Sequence, residues 1–163
     1  MAHFFRANEI ANIAIEIEMK GREFYLQAAQ MAKTPKVKDI FMFLSEEEAK
    51  HEETFRSMLS RLGKVEMPAW ATQDEYMQYL EALIESHMLF SALGQKYMAQ
   101  ADSEKDVIKM AMSFEKDTML FFTEMKELVP ISEKHAVQLC YDEERKHLRQ
   151  LSNMNAQLGA EES

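Results

Sequence analysis

Two halves of this chain repeat one another, and in each half a helical apolar stripe is broken at one level by carboxylates and an imidazole. Residues 9–25 (EIANIAIEIEMKGREFY) align with residues 106–122 (DVIKMAMSFEKDTMLFF) at an offset of 97, setting Glu18 opposite Glu115. A second pair of runs aligns at an offset of 96. It matches Glu47, Glu48, Lys50, His51, Met58, Leu62 and Gly63 with Glu143, Glu144, Lys146, His147, Met154, Leu158 and Gly159. A repeat of this kind restricts the chain to two helical hairpins related by a pseudo-two-fold axis, with the long middle segment as a crossover. One residue fewer separates Glu115 from Glu144 than Glu18 from Glu48, so the second hairpin's connection is predicted to be shorter by one.

The helices themselves follow from periodicity and punctuation. Three prolines and four glycines in 163 residues, with long runs rich in Ala, Leu, Met, Glu and Lys, predict an all-α chain of one domain, residues 1–163. The first helix is predicted over residues 8–31. Thr34-Pro35 opens a second, over 35–62, that Gly63 stops. Pro68 breaks the pattern within the crossover, about residues 64–103, and an amphipathic stretch over 74–101 is interrupted at Gly94. A third bundle helix spans 104–129 and ends at Pro130. The fourth is capped by Ser132, runs to Leu158 and stops at Gly159.

Inward stripes at steps of three and four locate the chemistry. The first helix reads Ala11, Ala14, Glu18, Gly21, Tyr25, Ala28, Ala32, and the second Val37, Ile40, Leu44, Glu48, His51, Phe55, Met58, Leu62. The third reads Ile108, Ala111, Glu115, Thr118, Phe122, Met125, and the fourth Val137, Cys140, Glu144, His147, Leu151, Met154, Leu158. Residues three apart share a helix face, so each Glu-x-x-His aims a carboxylate and an imidazole at one point. A single Glu-x-x-His in a glutamate-rich helix is more often a surface accident than a ligand pair. Two copies in register with a repeat, both on core faces, reverse that. Burying such groups unpaired costs several kcal/mol by rough estimate, and a metal ion is the natural compensation. Four glutamates balance two divalent cations. Oxygen and nitrogen ligands without thiolates suit iron or manganese, with zinc as a further occupant.

At these residues the chain resembles the ferritin-like superfamily and specifically its rubrerythrin-type di-iron domain, over nearly the whole length apart from the crossover. The ligand set, one Glu from each of two helices and Glu-x-x-His from each of the others, is that of di-iron carboxylate four-helix bundles. The resemblance implies that Glu18, Glu48, His51, Glu115, Glu144 and His147 bind two iron ions, with Glu48 and Glu144 bridging and Glu18 and Glu115 terminal. Tyr25 resembles the family's tyrosine that hydrogen-bonds near the metals; on residue chemistry alone, core packing would explain it equally well. The implied function is redox chemistry of iron with hydrogen peroxide or dioxygen: peroxide reduction and protection from oxidative stress. A ferroxidase or iron-storage protein and a non-catalytic metal-binding bundle are the alternatives. The chain departs from full-length rubrerythrins in two respects. It has no paired Cys-x-x-Cys, so electrons are expected from a separate donor protein or reductant. Thr118 stands where that family has a second glutamate, the one used in exchanging a His for a Glu ligand.

The remaining features exclude more than they assign. The single cysteine, Cys140, rules out an internal disulfide or a four-cysteine metal ribbon and fits a reducing, cytoplasmic setting. It falls opposite Leu44 in the repeat and reads as a small buried hydrophobe. The opening MAHFFRANEI lacks a secretory pattern, and no run reaches the ~18 apolar residues of a membrane span. A net charge of −9 argues against nucleic acid. A homodimer is expected. His87, with Glu81 and Glu85 nearby, is read as an ordinary crossover histidine before a third metal site. His135 is expected to be exposed and His3 terminal. The fourteen methionines are core filler, and Trp70 with Pro68 is predicted to anchor the crossover.

Overall fold

A computed structural model describes residues 7–63 and 66–162; His3 lies outside them. Among the described residues every element is an α-helix: α1 (Ala7–Met31), α2 (Pro35–Leu59), α3 (Gln73–Ser86), α4 (Ala92–Ala99), α5 (Glu104–Leu128) and α6 (Lys134–Glu161). Helix α1 packs along α2, and α5 along α6. The two hairpins meet through α1 against α5 and α2 against α6, and the crossover helices α3 and α4 lie on α5. This is the four-helix bundle with helical crossover that the repeat requires. No helix of the described residues is long and apolar enough to cross a membrane.

The core divides into two apolar clusters with the polar level between them. One holds Ile10, Ala14, Ile17, Phe55, Phe122, Met125 and Val137, and the other Tyr25, Ala28, Val37, Phe41, Leu44, Ile108 and Leu151. Along α1, Glu18 falls between Ile17 of the first cluster and Phe24 of the second. The same interruption recurs on each of the other three bundle helices. The predicted stripes are buried around the polar level, whereas Ala32, Leu62, Met154 and Leu158 towards the helix ends are only half-buried, and Phe41 is fully buried where Ile40 is half so.

Several helix ends differ from the sequence expectation, each for a local reason. Helix α2 stops at Leu59 instead of Leu62. Its last turn tightens, Arg61 N–H bonding to the Met58 carbonyl, and the Arg61 guanidinium grips Glu133 through two hydrogen bonds of 3.0 and 3.1 Å. Gly63 therefore does not cap it; no glycine among the described residues takes the positive φ such a cap needs. Thr34 caps no helix with its side chain. Its hydroxyl and amide both donate to Glu104 across the bundle. Ser132 is likewise not the cap of α6, since residues 131–133 form a turn in which Glu133 N–H reaches the Pro130 carbonyl. That turn makes the α5–α6 connection (129–133) longer than the α1–α2 connection (32–34), reversing the predicted difference. Gly159 stays helical, and α6 continues to Glu161.

The crossover breaks at His87–Ser91, not at Gly94. Gly94 sits inside α4, where a Cβ would lie 1.9 Å from the Met88 carbonyl oxygen, so the glycine permits the chain to fold back on itself. Polar ties fasten this segment to α5: Met88 N–H to Asp117 at 2.9 Å, His87 to Thr118 at 3.0 Å, and Tyr76 to Glu124 at 2.6 Å. Pro68 is buried as expected. Trp70 is 73% exposed and only touches the Tyr76 ring edge-on, so the anchoring aromatic is Tyr76.

Candidate metal centre

Each hairpin delivers three of the six predicted groups, and the bundle brings all six to one level. Glu18, Glu48, His51, Glu115, Glu144 and His147 are each buried. Their ligand atoms form two groups, each within 4.8 Å of one another: Glu18, Glu48, His51 and Glu144, and Glu48, Glu115, Glu144 and His147. Glu48 and Glu144, the glutamates of the two Glu-x-x-His motifs, belong to both groups. Gly21 makes room for one of them, since a Cβ there would stand 3.4 Å from the Glu48 carboxyl carbon.

Both imidazoles turn Nδ1 inward. His51 Nδ1 lies 2.8 Å from Glu144 Oε1 and 3.5 Å from Glu18 Oε2, and His147 Nδ1 lies 2.8 Å from Glu144 Oε2 and 3.7 Å from Glu115 Oε1. The rings stack with centroids 5.7 Å apart. The approach of His51 to Glu144 is close but misaligned, and both atoms remain without a hydrogen bond. Both oxygens of Glu18 and one oxygen each of Glu48 and Glu115 are also buried and unpartnered. Orphaned buried oxygens are rare in folded proteins. Five of them converging with an inward nitrogen form a donor set that fits cations.

The clustered groups shift one another's protonation. Burial, reinforced by neighbouring carboxylates, raises the carboxyl pKa of Glu18 and of Glu115. Burial also penalises charged imidazoles, but Glu18 and Glu144 overcome this at His51, which is raised. At His147, Glu115 and Glu144 push the value up to about 10. Burial alone would raise Glu144, but its hydrogen bond with His147 and the charge of the adjacent His51 outweigh that and lower it.

Of the other candidates, Tyr25 donates its phenol hydrogen to Glu115 Oε1 across the bundle, as the resemblance implied. Burial pushes that phenol's pKa up, so the proton stays on it. His87 is buried with both nitrogens occupied: Leu89 N–H donates to Nδ1 at 3.2 Å, and Nε2 meets Thr118 Oγ1 at 3.0 Å. It joins neither ligand group and is the crossover histidine. His135 is exposed. Cys140 is buried, its thiol pushed up to about 12 by burial, which leaves it inert. Sequence reasoning missed Glu143. This residue, ahead of the second Glu-x-x-His, reaches His51 Nε2 at 2.6 Å from the other hairpin. The repeat did contain a signal, because Glu47 precedes the first motif in the same place.

The rubrerythrin family profile matches residues 9–155. The chain belongs to the rubrerythrin family. The match takes in both hairpins and every ligand candidate. Among solved structures the chain is similar to a protein from Thermotoga maritima provisionally described as ferritin-like and diiron-carboxylate. The TM-score is 0.65 at 23% identity, over 96% of this chain and 98% of that one, a likeness of fold. No curated protein matches the chain. This rubrerythrin-family chain is thus a ferritin-like bundle with a buried carboxylate–histidine cluster at its centre.

Proposed function

We propose that this protein is a di-iron oxidoreductase that reduces hydrogen peroxide, using Glu18, Glu48, His51, Glu115, Glu144 and His147 to hold two iron ions. The observation that carries the reading is the pair of four-residue ligand groups sharing Glu48 and Glu144. A donor set with two common carboxylates suits two ions held side by side, and its four glutamates neutralise two divalent charges. Two ferrous ions bound there would supply one electron each to the oxidant.

The chain's own residues do the rest. Glu48 and Glu144 would serve both metal positions, and Glu18 and Glu115 would each serve one. Tyr25 holds Glu115 in place and offers a fixed O–H. The apolar clusters above and below exclude bulk water, which strengthens every electrostatic interaction among the buried groups. Thr118 carries no carboxylate, so exchange of a histidine for a glutamate ligand at that position has no glutamate to use. Reduction of one hydrogen peroxide to two waters takes two electrons and two protons. Among the residues of this chain there is no cysteine-ligated electron site, and a separate donor protein is therefore part of the proposal.

The test begins with metal analysis after anaerobic reconstitution with ferrous iron, expected to give about two ions per chain. Stopped-flow absorption then compares hydrogen peroxide with dioxygen as oxidant. Fast oxidation by peroxide with slow oxidation by dioxygen is expected. The reverse order would make the protein a ferroxidase, and no oxidation by either would make it a static metal-binding bundle.

A further inference from the structure

The repeat allows the two ends of the centre to be compared residue by residue, and two pairs of equivalent residues behave differently. In the first pair, Glu143 crosses to the other hairpin and sits 2.6 Å from His51 Nε2. Its counterpart Glu47 would serve His147 in the same way, but the Lys50 ammonium one turn along holds Glu47 Oε1. Among the described residues the carboxylates recorded at His147 approach only its Nδ1, and Phe43 meets its ring edge-on. In the second pair, Tyr25 is matched at offset 97 by Phe122. Tyr25 donates to Glu115 Oε1, whereas Phe122 has no hydroxyl and both oxygens of Glu18 are free.

Both differences act in the same direction. An imidazole whose Nε2–H is held by a carboxylate is oriented and made more basic at Nδ1, and such partners typically govern about 10- to 100-fold in metal affinity. A carboxylate oxygen that already accepts a phenol O–H has one lone pair fewer to offer. The Glu18/His51 end has the supported imidazole and the free carboxylate. The Glu115/His147 end lacks the supported imidazole, and only one oxygen of Glu115 is free.

We propose that the two metal positions are unequal by construction: the one framed by Glu18, Glu48, His51 and Glu144 fills first, with Glu143 as its positioning residue. The position framed by Glu48, Glu115, Glu144 and His147 fills second and empties first. This rests on the dinuclear reading and adds a loading order to it. A half-loaded protein then carries its ion at the His51 end.

Anaerobic titration of the metal-free protein with ferrous iron, free ion being followed with a colorimetric chelator, provides the test. The native chain should bind in two steps. Two cations sharing Glu48 and Glu144 repel and would split the steps even at equal sites, so the variants decide. Glu143→Ala should weaken the tight step about 10- to 100-fold, and Glu143→Gln, which keeps an acceptor without its charge, should lie between. Tyr25→Phe should strengthen the weak step and leave the tight one unchanged. Glu143 is 41% exposed, so its replacement should not impair folding, which circular dichroism checks. General destabilisation would weaken both steps in either variant. If Glu143→Ala leaves the tight step unaltered, or both variants shift both steps alike, the inequality is overturned and the dinuclear reading survives. Saturation of the native chain at one ion overturns the dinuclear reading itself.

Discussion

His87 shows how one side chain's surroundings settle its role. The Leu89 amide can only donate, so it takes the lone pair of Nδ1 and leaves the hydrogen on Nε2, which donates to Thr118. Burial lowers the imidazole pKa from 6.5 to about 4. Above pH 6.5 the residue is neutral in both folded and unfolded chains. As pH falls through that value, the unfolded chain takes up a proton that the folded one refuses, so stability is lost down to about pH 4. The loss should amount to roughly 2–3 kcal/mol. Denaturation of the native chain and of His87→Gln between pH 4 and 7 should show curves that converge towards low pH; parallel curves would sink the assignment. The glutamates differ among themselves as well. Replacing Glu48 or Glu144 with Ala should reduce iron retention more than replacing Glu18 or Glu115, because the first two stand in both ligand groups. Equal losses at all four would count against shared carboxylates.

At the scale of elements, the crossover is the part held by few contacts of special geometry. Helix α4 can turn back over residues 87–91 only because position 94 lacks a Cβ. Gly94→Ala would force backbone apart where the added carbon stands 1.9 Å from the Met88 carbonyl oxygen. Overpacking of this kind costs about 1–3 kcal/mol. The cost should be local to α4 and the His87 turn. Hydrogen exchange should quicken at Met88 and Leu89, with α1, α2 and α6 unaffected; uniform quickening over all helices would mean that the crossover and the bundle unfold as one unit. The bundle helices are secured at both ends by inter-hairpin ties, Arg61 to Glu133 at one end and Glu104 to Thr34 and Lys33 at the other. These ties, rather than the nearest capping residue in sequence, mark where α2 begins and ends and where α6 begins.

The whole molecule carries the charge problem of its centre. In the metal-free protein, Glu18, Glu115, His51 and His147 all bind protons more tightly folded than unfolded. Their contribution to stability is present below the unfolded values and is lost as pH rises, for His147 between 6.5 and about 10. Glu144 has the opposite sign and weakens the fold only on the acid side, below its ordinary carboxyl range. Metal ions bound there would displace those protons and themselves offset the repulsion among the carboxylates. Thermal unfolding of both forms from mildly acidic to mildly alkaline pH should therefore show a gap that widens with pH. A gap that stays flat or narrows would mean that the six residues do not act as one buried cluster.

The six ligand candidates, the two hairpins and the crossover were legible in sequence because a helix makes spacing into geometry. Steps of three and four place Glu48 with His51 and Glu144 with His147 on one face, and the repeat places the faces opposite each other. Residues near helix ends were less legible, since Gly63, Ser132 and Gly159 carry stop and cap signals that longer-range ties override. What only the tertiary structure decided are the contacts between helices: Glu143 on His51, Tyr25 on Glu115, and His87 on Thr118. Their partners stand 92, 90 and 31 residues apart in the chain. Each depends on how neighbouring helices are rotated and on which nearby group competes for the side chain. Glu47 and Glu143 hold the same place in the repeat, yet Lys50 takes the first and His51 the second.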